Sequence, residues 1–99
     1  EYEKAEKLYK KSLEIREGIL GEEHPDTAES YNNLAGVYRI QGESKKMIDY
    51  FLKSFKILYS KYGLEFLNTQ IAYTNLKLAY SEWNPDGDFK QWLEEKMEE

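Results

Sequence analysis

The sequence predicts an all-α fold, with about five helices paired as antiparallel hairpins in a stretch of α-solenoid. Apolar and small residues recur at spacings of three and four along most of the chain, the pattern of helices with one buried face. Glycine and proline breaks divide that pattern into five segments. Sliding the sequence by 42 positions superposes it on itself, and a period of about 20 to 50 residues marks a stack of like supersecondary units. No stretch alternates with period two for long enough to be a strand.

The first helix carries Tyr2, Ala5, Leu8, Tyr9, Ser12, Ile15, Ile19 and Leu20 on its apolar pattern and stops at Gly21. The second begins around Pro25 and Asp26, since proline fits a first turn and a carboxylate suits the positive end of the helix dipole. It carries Ala28, Tyr31, Leu34, Ala35 and Tyr38 and ends near Gln41-Gly42. A third runs from Glu43 to about Lys61, with Met47, Ile48, Phe51, Ser54, Phe55 and Leu58 inward, and Gly63 closes it. The fourth starts near Asn68, read as its cap, and passes through Ala72, Tyr73, Leu76, Ala79 and Tyr80 to Trp83. After the turn Asn84-Pro85-Asp86-Gly87, a short fifth helix places Phe89, Trp92, Leu93 and Met97 on one stripe.

The shift of 42 pairs a dozen identical residues, among them Lys4/Lys46, Ser12/Ser54, Ile15/Ile57, Gly21/Gly63, Thr27/Thr69, Tyr31/Tyr73, Asn33/Asn75, Leu34/Leu76 and Tyr38/Tyr80. Antiparallel helices approach closely where small residues meet large ones. Ala28, Ala35 and Ser54 supply the small members, and Leu34, Tyr38 and Phe51 the large.

Composition narrows the function. Ninety-nine residues with 14 Lys+Arg against 19 Asp+Glu give a net charge of −5, which argues against nucleic acid. There is no cysteine and one histidine, so neither a disulfide framework nor a two-histidine metal motif is available. No apolar run is long enough for a membrane span, no signal-peptide core opens the chain, and the reading is a soluble, cytoplasmic protein. A start at Glu1 suggests a piece of something longer. Neither a phosphate-cradling glycine loop nor a G-x-S-x-G motif is present, so the expectation is a non-enzyme without cofactor or metal. His24 with Glu22, Glu23 and Asp26 makes a poor metal cage, because loop carboxylates around one histidine are not held in place.

Ser12-Leu13-Glu14-Ile15-Arg16-Glu17, Leu20-Gly21, His24-Pro25-Asp26-Thr27-Ala28, Asn32-Asn33-Leu34-Ala35, Tyr38 and Gln41-Gly42 together resemble the tetratricopeptide repeat (TPR), in the long form found in kinesin light chains. The resemblance implies helix B of a partial repeat over 1–21, a complete A/B pair over 26–62 and a degenerate or capping repeat over 68–99. The chain departs from the pattern at three places. Lys77 replaces the small residue equivalent to Ala35, Met47 stands where alanine is preferred, and the turn 84–87 adds about three residues.

The resemblance also implies a scaffold that binds a protein or peptide on the concave face of its A helices. Asn33 and Asn75 share the position at which peptide-binding relatives often contact the ligand backbone, and an amide can donate to and accept from a peptide at once. On the same expected face lie Glu29, Asn32, Gly36, Arg39 and Ile40 in one repeat and Ile71, Thr74, Leu78 and Glu82 in the next. A lysine clamp for an acidic C-terminus does not carry over, because Glu29, Asn32, Ile71 and Thr74 hold its positions. Arg39 set against Glu29 and Glu82 suits a peptide of mixed charge instead.

Helix 1 has an apolar face without the A helix that would cover it, so the end helices, with Leu64-Glu65-Phe66-Leu67, are candidates for self-association or for stacking in a longer array. A regulatory arm of a larger protein is a further reading.

Overall fold

A computed structural model describes residues 2–21 and 23–99. Five helices follow one another: α1 (Tyr2–Leu20), α2 (Pro25–Ile40), α3 (Ser44–Tyr62), α4 (Leu67–Trp83) and α5 (Phe89–Met97). Each of the first four packs on the next in sequence, and α5 touches α4 more sparingly. The result is a helical-repeat fold, all-α, with no strand among the described residues.

Local chemistry sets the boundaries. His24 is the N-cap of α2: its Nδ1 accepts from the backbone N–H of Asp26 at 3.0 Å, and Pro25 occupies the first turn. At the other end of α2, the N–H of Glu43 reaches the Tyr38 carbonyl at 2.9 Å and that of Gly42 reaches Arg39 at 3.1 Å. This paired closure needs a left-handed residue between helix and loop, and Gly42 supplies it at φ +78. Asp88 caps α5 by accepting from Gln91 N–H at 3.1 Å.

One expectation is corrected. Asn68 is not the cap of α4, which begins one residue earlier with Phe66 as N-cap and no side-chain bond there. The Phe66 ring lies 4.4 Å from that of Tyr62, so an aromatic contact sets the entry into α4. The apolar face of α1 is left uncovered, as the sequence led us to expect. Leu8, Ile15 and Ile19 are 69%, 53% and 77% exposed, while Leu13 is the one buried side chain among the described residues of that helix. The inward stripe holds Glu6, Arg16 and Glu17 as well, and they bond to α2 and the turn after it.

The core lies between α2, α3 and α4. Ala28, Leu34, Ala35, Tyr38, Ser54 and Phe51 are all buried, so the expected meeting of small and large residues is present. Leu34 and Leu76, partners under the 42-residue shift, are both fully enclosed. So are Thr27 and Thr69, whose hydroxyls donate to the carbonyls of Gly21 at 2.8 Å and Leu58 at 3.3 Å. Tyr50 of α3 stacks on Tyr31 and Tyr38 of α2 at 5.7 and 5.5 Å. Around α5 a second aromatic group forms, with Tyr80 against Phe89 at 5.4 Å and Trp92 at 5.0 Å.

The second repeat ends differently from the first. Five residues (84–88) connect α4 to α5 where three (41–43) connect α2 to α3, and α5 has 9 residues against 19 in α3. Lys77, at the register position of buried Ala35, is exposed.

Candidate functional site

Helices α2 and α4 lie side by side with α3 behind them, and a groove of about 410 Å³ opens between them. Glu29 and Asn32 line it from α2, Ile71 and Asn75 from α4. Its floor is Ser54, Leu58 and Tyr62 of α3, and Phe66 closes one side. Across the groove Asn75 Nδ2 donates to Asn32 Oδ1 at 3.3 Å. That bond joins the amides of adjacent A-type helices and leaves each with further donor and acceptor capacity.

The 42-residue register explains why Asn75 meets Asn32 rather than its own counterpart, Asn33. Successive α-helical residues are about 100° apart around the axis. Asn32 therefore turns toward α4, while Asn33 is half-buried and outside the groove lining. Asn32 and Asn75 thus share the groove lining, and Asn33 does not enter it.

The other predicted residues are distributed along the same helices. Glu29 is largely exposed, and its nearest cation is Arg16 of α1, with Nη1 to Oε1 at 4.0 Å. Arg39 makes a two-point contact with Glu82, Nε to Oε1 at 3.1 Å and Nη2 to Oε2 at 2.8 Å. It does not meet Glu29, because ten residues along a helix separate the two by about 15 Å. Thr74 Oγ1 is turned back to its own helix, donating to the Gln70 carbonyl at 3.0 Å. Leu78 and Ile40 are exposed and lie beyond the groove, and Gly36 leaves open space where a side chain would project.

Sequence reasoning missed the floor and the closed end. Ser54, Leu58 and Tyr62 are spaced by four on α3, but Ser54 and Leu58 read as core and Tyr62 fell just past the expected end of the helix. Phe66 was visible only as linker. His24, considered with acidic neighbours, serves α2 as its cap; Glu22 lies outside the described residues.

No helix among the described residues is long and apolar enough to cross a membrane. The geometry thus defines a helical-repeat protein whose side-by-side helices bound an open, polar-rimmed groove. A family model for the tetratricopeptide repeat matches residues 1–60, and the chain belongs to that family. A search of curated proteins finds no match to this chain.

Proposed function

We propose that the chain is a non-catalytic, cytoplasmic scaffold module that holds an extended peptide segment of a partner protein in the α2–α4 groove. The observation that carries this is the Asn75–Asn32 amide pair, set across the groove above an apolar and aromatic floor. Amides at the rim serve the peptide backbone whatever its sequence, and the floor of Leu58, Tyr62 and Phe66 takes an apolar side chain. Membership of the tetratricopeptide repeat family supports the reading, since these repeats serve as protein-interaction scaffolds. The 42-residue period supports the long-repeat, kinesin-light-chain-like form, with 68–99 as the capping repeat.

Peptides selected from a random display library on the folded chain supply the probe. Asn32→Ala with Asn75→Ala is expected to weaken such a peptide about tenfold or more while shifting the melting temperature little. Undiminished binding by the double variant contradicts the groove.

A second reading is favoured by the exposed stripe Leu8, Ile15 and Ile19 of α1. Under the repeat shift, the first two correspond to Tyr50, which stacks on α2, and to buried Ile57. The stripe therefore has the character of an uncovered packing face, and it supports self-association or stacking within an array. Sedimentation over a concentration series tests this: mass that rises with concentration supports self-association, and a constant monomer mass removes it.

A further inference from the structure

The chain carries a net charge of −5, yet α3 holds five lysines and one carboxylate. Lys46, Lys53 and Lys56 lie along one stripe of that helix, turned away from the groove floored by Ser54 and Leu58. Lys10 of α1 stands on one side of them and Lys96 of α5 on the other, and all five line a single depression of about 490 Å³. Beneath them lie partly buried Tyr50 and enclosed Tyr38. Those rings hold lysines in place: Lys46 lies 5.3 Å over Tyr38 and Lys53 5.1 Å over Tyr50.

The lysines differ in how they are neutralised. Lys10 pairs with Glu6 at 2.8 Å, Lys46 with Glu43 at 3.3 Å and Lys96 with Glu99 at 3.4 Å. Asp49, which also lines the depression, is paired with Lys45 at 2.8 Å. Lys53 and Lys56, at the centre, have no carboxylate within 4 Å among the described residues. A basin with unneutralised cations at its middle and paired ones at its rim favours a short anionic segment.

We propose that this basin is a second docking site, for an acidic segment of a partner protein, separate from the α2–α4 groove. Carboxylates of the segment pair with Lys53 and Lys56, and its backbone passes over Tyr50. A nucleic acid duplex or an anionic bilayer fits less well. Either one presses an extended sheet of negative charge against Glu6, Glu43, Asp49 and Glu99, and against a molecule that is acidic overall.

The test titrates a fluorescein-labelled oligoglutamate peptide into the chain at low salt and at physiological salt. Binding at low salt that weakens as salt rises is expected. Lys53→Glu with Lys56→Glu should weaken it about tenfold or more, whereas Lys61→Glu with Lys77→Glu, the same change in net charge elsewhere, should stay within about twofold. Far-UV circular dichroism verifies that each variant is folded. Equal losses in the two double variants, no loss in either, or no peptide binding at low salt overturns the proposal. Capture by phosphatidylserine vesicles in place of the peptide overturns it too and assigns the lysines to a membrane surface.

Discussion

His24 and Gly42 show how single residues hold this repeat in register. The imidazole of His24 takes one of the orphan N–H groups at the start of α2, so His24→Ala should cost about 0.5–2 kcal/mol in denaturant unfolding. Gly42 holds a backbone conformation that disfavours any side chain, and Gly42→Ala should cost about 1–2 kcal/mol by the same measurement. Gly63, at φ +72 and ψ −179, lies in a region essentially limited to glycine and is the C-cap of α3, its N–H reaching the Tyr59 carbonyl at 2.9 Å. Gly42 and Gly63 were legible in the sequence as helix ends, because glycine punctuates helices for backbone reasons that need no tertiary context, whereas the capping role of His24 was not. Which amide faces which was not legible. Asn32, Asn33, Thr74 and Asn75 are all suitable types at neighbouring positions, and only the relative rotation of two helices selects the Asn32–Asn75 pair.

At the scale of elements, α1 is bound differently from the others. The seams between α2, α3 and α4 are apolar, while α1 meets α2 through Leu13 and a row of polar bonds. Arg16 donates to the Asp26 carbonyl at 2.7 Å and to Ser30 Oγ at 3.0 Å, and Tyr31 donates to Glu17 at 2.9 Å. Glu6 accepts from Gln41 at 3.0 Å and from Tyr38 at 3.3 Å. Hydrogen bonds from Lys10 and then Gln41 hold the Glu6 carboxyl below its ordinary value of 4.5. A carboxylate with a lowered pKa stabilises the fold above that ordinary value, and the contribution fades as pH falls through the lowered one. Attachment of α1 should therefore loosen on acidification below about 4.5, and Glu6→Gln should remove part of that dependence. Amide hydrogen exchange along α1 against that along α3 checks this. If α1 is protected as strongly as α3 in acid, the polar seam has been given too much weight. The apolar periodicity of α1 marks a face that α2 does not cover, the uncovered face the sequence led us to expect.

Over the whole molecule, the 42-residue shift was the most informative signal, because it reports a repeated packing solution rather than one local preference. It anticipated five helices and the buried pairs Leu34/Leu76 and Tyr38/Tyr80. It gave no account of how short α5 is, since the aromatic group of Tyr80, Trp83, Phe89 and Trp92 satisfies that end by a route the first repeat lacks. Removing that group should loosen the end of the stack. Trp92→Ala is expected to cost about 2–4 kcal/mol, less than for a fully enclosed ring because Trp92 is partly exposed, and urea unfolding reads it directly.

The account centres on the groove between α2 and α4 as the place where a partner segment lies. Backbone amide shift mapping by NMR, with a library-selected peptide titrated into the labelled chain, tests that most directly. The prediction is that the largest changes fall on Glu29, Asn32, Ile71 and Asn75 and on Leu58 and Tyr62 beneath them. Saturable binding whose shifts avoid these residues, clustering along Leu8, Ile15 and Ile19 of α1 instead, would contradict it.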